Sequence, residues 1–256
     1  MDGVTSYPDL ADKVVVVTGG SRGIGARTAQ SFADQGARLA VVGRDRQALD
    51  SVASAIADRG GTAIPIAADV TDAASIAALA DQVAEHLGPV DVLAAFAGGQ
   101  GYPARSVQLT EQRWREVIDS DLTSVFLTIQ AFLPGMVERR RGTILTMSSA
   151  AGRQPSQANL AYGVANAGLV MLTRHLAVEP GPHRIRVNCL APSTIRTEKV
   201  EQNMPTEVQE QVAAMHPLGR LGTTTDVASA ALFLASDAAS WLTGLTIDVA
   251  GGRITN

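Results

Sequence analysis

A chain of 256 residues can bury one sizeable core, and with 46% apolar but only 4% aromatic residues that core must be built mainly from small and branched aliphatic side chains. A formal net charge of −4 offers no basic field for a phosphate backbone, so nucleic acid is excluded as an expected partner. The single cysteine, Cys189, excludes an intrachain disulfide, residues 1–10 lack the basic start and apolar stretch of a leader, and no later run approaches ~20 apolar residues; the expectation is a cytoplasmic protein with no membrane partner.

Residues 13–18 are a short apolar run ending in a glycine-rich turn, and residues 24–35 follow with helical spacing, which predicts strand, turn and helix. Residues 38–42, 63–67 and 90–95 repeat the strand signal, with Thr71-Asp72 opening a helix before the last of them. Thr110-Glu111-Gln112-Arg113 opens a helix that runs towards Pro134, and Arg139-Arg140-Arg141 reads as a solvated helix end. A strand at 143–147, a long helix at 159–178 stopped by Pro180-Gly181-Pro182, and strands at 184–190 and 246–249 complete the rhythm. The alternation predicts one α/β domain over residues 1–256, a doubly wound parallel sheet with helices on both faces. Residues 193–217 are the least regular; their polar helix signal at 205–215 reads either as a lid over a pocket or as a surface excursion.

Thr18-Gly19-Gly20-Ser21-Arg22-Gly23-Ile24-Gly25 joins the first strand to the first helix. Glycines let the backbone turn sharply and approach a pyrophosphate, whose charge meets the free N–H groups and positive dipole of the helix N-terminus. Ser149 lies just beyond the strand at 143–147, at the carboxyl edge where such sheets bind ligands, and a serine there can polarise a carbonyl. Tyr162 stands on the next helix; such a tyrosine either packs with a wet hydroxyl or exchanges a proton. Arg153 reads as an exposed charge or as a contact for an anionic substrate. His86, His175, His183 and His216 have no metal-ligand spacing, so no metal site is expected.

These segments resemble the short-chain dehydrogenase/reductase family, bacterial 3-oxoacyl carrier-protein reductases in particular, over most of the chain. The resemblance implies a Rossmann-type fold and a nicotinamide cofactor whose pyrophosphate meets Gly19, Ser21, Arg22, Gly23, Ile24 and Gly25. Arg44 stands where NAD-specific members carry an acid, and with Arg22 it implies a 2′-phosphate contact and NADPH in preference to NADH. Asp69 and Val70 match the adenine-contacting pair. Ala95-Phe96-Ala97-Gly98 replaces an Asn-Asn-Ala-Gly motif: the asparagines that brace the strand are gone, while Ala97 and Gly98 keep the small surface a ribose needs. Pro192, Ile195 and Thr197 resemble residues that meet the nicotinamide carboxamide, with Ser193 in place of a glycine.

Ser149 and Tyr162 match the family's catalytic pair, but its lysine is Asn166 here and its asparagine is Asp121. Each change makes the site more negative by about one unit and works against tyrosinate. Three readings stay open: a weakened or specialised NADPH-dependent reductase of a small or carrier-bound carbonyl, a catalytically silent NADPH-binding subunit, and a non-redox isomerase or cyclase. The helices at 110–134 and 159–178 pair across subunits in the family's tetramers, which implies a homotetramer or homodimer.

Overall fold

Val14–Thr18 forms β1 because five buried residues, four of them valine, suit a pleat covered on both faces. Val15 and Val17 pack with α1 (Gly23–Ala33), α2 (Arg46–Ala57) and α9 (Thr224–Ala235). Val14 and Val16 face the other way, into the layer formed by α3 (Ala73–His86), α5 (Ser124–Arg139) and α6 (Leu160–Val178). The computed structural model describes residues 5–255, so the first four residues of the stretch read as leader-free lie outside the described residues.

With β2 (Arg38–Gly43), β3 (Thr62–Ala67), β4 (Val92–Ala95), β5 (Gly142–Met147), β6 (Ile185–Pro192) and β9 (Thr246–Val249), β1 builds a seven-stranded parallel sheet in the order β3-β2-β1-β4-β5-β6-β9. This is the doubly wound sheet that the alternation predicts. Strand order reverses between β1 and β4, and the crevice beyond the carboxyl ends at such a point is where open α/β sheets bind ligands.

Two expectations need correction. First, the helix that opens at Thr110 does not stop near Pro134: α4 (Glu111–Ile118) passes through a π-helical turn at Asp119–Thr123 into α5, 29 helical residues in all. Pro134 is exposed, so the Gln130 carbonyl that it leaves without a donor can bond water and the helix continues. Second, this run is long and apolar enough to cross a bilayer by length and composition, although here Val125, Ile129, Phe132 and Met136 are buried in the core layer. The arginines at its end are exposed, as a solvated helix end implies, and each also has a partner: Arg139 donates to Val90 O, Arg140 donates to Pro182 O, and Arg141 pairs with Asp91. Between β6 and α9, β7 (Ile195–Arg196) pairs with β8 (Gly222–Thr223) and encloses α7 (Glu198–Asn203) and α8 (Thr206–Ala214). The sequence indicates α8 but not α7.

Candidate functional site

The glycine turn takes a shape that side chains would prevent. Gly19 and Gly23 lie at φ +67° and +56°, a Cβ on Gly19 would come within 2.9 Å of Phe96 O, and one on Gly25 would overlap Gly19 O. Arg22, at the N-cap of α1, makes no side-chain capping hydrogen bond to the first turn that Gly23, Ile24 and Gly25 open. A close, small-residue turn against an uncapped helix N-terminus fits a dinucleotide pyrophosphate. Thr197 closes the other side, its Cγ2 lying 3.4 Å from where a Gly23 Cβ would stand.

At the end of β2, Ser21 packs beside Gly43 and Arg44 is exposed. Arg22 is not a free receptor: its Nη2 lies 2.7 Å from Asp45 Oδ2, and Asp45 also caps α2 by accepting from Ala48 N. Hydrogen bonds from the Thr71 hydroxyl and amide hold the Asp69 carboxyl below its usual range, with a smaller contribution from the Arg44 charge. Val70 is buried beside it. The bracing that the missing asparagines leave open comes from Thr18, whose Oγ1 accepts from Phe96 N and Ala97 N at 3.0 and 3.1 Å.

Beyond β5, Ser149 Oγ accepts from Ala151 N at 3.2 Å and so starts a tight turn through Gly152. A Cβ on Gly152 would meet the Asn166 backbone at 2.5 Å, so this turn seats directly on α6. Tyr162 stands in the first turn of α6, where burial pushes its phenol above the usual value and the Asp121 charge adds to the rise. The polar side chains of Ser149 and Asn166 oppose it. Asn166 is buried and donates from Nδ2 to Tyr162 O at 2.9 Å, while its own carbonyl accepts from Ser148 Oγ.

Asp121 sits in the π-helical turn, 3% exposed. Its carboxylate accepts from Gly99 N and Gln100 N, both at 3.0 Å, and from Ser120 Oγ at 2.8 Å. Asn159 caps α6 by accepting from Tyr162 N and donates to Gln100 O and Tyr102 O. Lys199 on α7 donates to Gly99 O and lies 4.3 Å from the Tyr102 ring centroid. The loop after Gly98 is therefore held from three elements, with Gly101 seated on the Tyr162 ring.

Pro192 and Ile195 are buried at the end of β6 and in β7. Ser193 Oγ lies 3.0 Å from His216 Nε2, and His216 Nδ1 lies 2.8 Å from Val212 O. Arg153 is not an exposed charge: it makes a two-pronged ion pair with Asp248, both nearly buried. No cluster able to hold a metal occurs among the described residues. Ser149, Tyr162, Asn166 and Asp121 thus gather at one strand edge, and the glycine turn, Arg44, Asp69, Ala97 and Gly98 lie around the switch point. The roles of Asp45, Asn159, Lys199 and the Ser193–His216 pair went unread; Asp45 and Asn159 carry a local signal, a capping residue just before a helix, and the others carry none.

A family model described as "Enoyl-(Acyl carrier protein) reductase" matches residues 19–253. The chain is 41% identical to cis-4-hydroxycyclohexanecarboxylate dehydrogenase of Sinomonas cyclohexanicum, covering 95% of this chain and 97% of that protein. It is 34% identical to a 3-oxoacyl-[acyl-carrier-protein] reductase of Chlamydia muridarum, covering 95% and 98%. A solved 3-oxoacyl-[acyl-carrier protein] reductase of Brucella melitensis with bound NAD superposes with a TM-score of 0.89 at 34% identity, covering 97% of this chain and 94% of that one.

Proposed function

Because the chain belongs to the short-chain dehydrogenase/reductase family of carbonyl/alcohol oxidoreductases, we propose that it is an NADPH-dependent carbonyl reductase with altered proton-transfer machinery. The observation that carries this reading is that Ser149 and Asn166 both act on the buried Tyr162 phenol at the carboxyl edge of the sheet, beneath a loop tied to three elements.

A bound nicotinamide supplies the hydride that reduces the substrate carbon. Ser149 Oγ accepts the Ala151 amide and keeps its own hydrogen for the substrate oxygen, which polarises the carbonyl. Tyr162 gives its proton to that oxygen as charge develops, and takes it back in alcohol oxidation. Asn166 offers the phenol a polar neighbour that favours tyrosinate without supplying a positive charge. Gly101 over the ring keeps water from that face, and residues 193–217 act as the lid on the other side. Arg44 and Arg22 favour a 2′-phosphate, with Asp45 as a built-in competitor for Arg22.

The substrate is a small ketone. Lys199 places a cation at the mouth between loop and lid, which suits an acid carried at the far end of the substrate. The relative that acts on cis-4-hydroxycyclohexanecarboxylate makes 4-oxocyclohexanecarboxylate the first ketone to test. A chain with one buried cysteine fits the reducing cytoplasm.

The test follows NADPH oxidation with that ketone, with acetoacetyl thioesters and with a wider ketone panel. Turnover that Tyr162→Phe abolishes is the expected result. Tight NADPH binding with no oxidation across the panel would replace this reading by a silent cofactor-binding subunit. A rearranged substrate without net cofactor use would indicate an isomerase or cyclase.

A further inference from the structure

Ser193 and His216 form a pair whose hydrogen-bond polarity is set for as long as the ring is neutral. Val212 O can only accept, so His216 Nδ1, 2.8 Å away, carries the hydrogen. In the neutral ring Nε2 is then bare, and the group 3.0 Å from it, Ser193 Oγ, must donate. The serine hydrogen is committed to the histidine, so Ser193 can present only its remaining lone pairs to any other group.

The position of Ser193 gives that polarity a use. Register sets Met147 opposite Leu190, so Ser149 continues β5 level with Pro192 and Ser193 is the next residue along β6. Four residues later Thr197 touches the glycine turn at Gly23. The segment from Ser193 to Thr197 therefore runs the length of the cleft, from the reacting edge at Ser149 to the pyrophosphate turn. Its half-buried serine stands at the reacting end.

We infer that Ser193, held by His216, is a specificity residue for the cofactor, accepting a hydrogen bond from the amide N–H of a nicotinamide carboxamide. This rests on the reading that a nicotinamide dinucleotide occupies the cleft. Ser193 touches the cofactor; His216 is a positioning residue that acts through it.

Calorimetric binding of NADP+ and of its 3-acetylpyridine analogue tests the inference without turnover. The analogue keeps the carbonyl acceptor and replaces the amide N–H donors by a methyl group. The unmodified protein should prefer NADP+ by about three- to tenfold, the worth of one net hydrogen bond. Ser193→Ala should bring the ratio close to one. His216→Leu should lower it as well, because the freed hydroxyl can turn its hydrogen towards the ligand, while Val212 O keeps the Met215 amide as a partner. A ratio unchanged by Ser193→Ala, or a ratio of one in the unmodified protein, overturns the Ser193 assignment alone. A ratio unchanged by His216→Leu overturns the part given to His216. Binding of neither dinucleotide would remove the cofactor reading as well.

Discussion

Tyr162 is raised first by burial and then by the Asp121 charge, so tyrosinate is scarce through the neutral range. A base that must lose its proton with a raised pKa gives alcohol oxidation that climbs about tenfold per pH unit and keeps climbing past pH ~10. A plateau below pH 9 would assign the proton to another group. Asn166→Lys places a cation one helical turn from Tyr162 and should move the rising limb to lower pH; for every pH unit that the limb moves, turnover near pH 7 should rise about tenfold. Asp121→Asn should act in the same direction: its amide oxygen still accepts from Gly99 and Gln100, and Ser120 Oγ can turn to accept from the amide nitrogen. Should Asn166→Lys fold and lose activity instead, Asn166 has a function of its own. Cofactor choice turns on the other charged cluster. Arg44→Asp should weaken NADPH by about one to two decades more than NADH, from the loss of a charge-assisted phosphate contact. Asp45→Asn frees Arg22 and should tighten NADPH relative to NADH. Calorimetry with both cofactors decides it; equal affinities in the unmodified protein would refute the phosphate assignment.

The loop after Gly98 looks featureless in sequence, yet Asp121, Asn159 and Lys199 reach it from the π-helical turn, α6 and α7. Asn159 has two duties that substitutions separate. Asn159→Asp keeps an acceptor for the Tyr162 amide but removes the donors to Gln100 O and Tyr102 O. Faster hydrogen exchange over residues 99–102 is the expected result, together with a lower melting temperature because a buried carboxylate then faces two carbonyl oxygens. Asn159→Ala also loses the cap, which costs about 0.5–2 kcal/mol and should lower the melting temperature. Unchanged exchange in both variants would show that Asp121 and Lys199 fix the loop without Asn159. The same contrast explains what was legible. Strands such as Val14–Thr18 announce themselves by runs of adjacent apolar residues, and the glycine turn by its place between strand and helix. Arg153 finds Asp248 95 positions away, Ser193 finds His216 at 23, and Thr18 braces Phe96 at 78. No local pattern encodes such pairs. Pro134 misleads for the opposite reason: a local helix-breaking signal gives way once the face on which it sits is open to water.

At the scale of the whole molecule, two of the places where apolar side chains remain outside bear on assembly. One is the outer side of α5 and α6, where Phe126, Leu160, Val164 and Met171 are each between 43% and 51% exposed. The other adjoins β9, the last strand of the sheet, where Trp241 is 96% exposed and Leu245, four residues on, is 39% exposed. An open parallel edge beside a bare tryptophan favours association, and each patch can meet its own copy about a two-fold axis. Two independent two-fold contacts generate a tetramer with three perpendicular axes, whereas one alone gives a dimer. Light scattering at micromolar concentration should therefore give a tetramer. Val164→Glu with Met171→Glu should reduce it to a dimer held at the β9 side, and Trp241→Glu to a dimer held through α5 and α6. A monomer in the unmodified protein would show that these surfaces stay solvated, and a tetramer that survives both sets of substitutions would place its interfaces elsewhere.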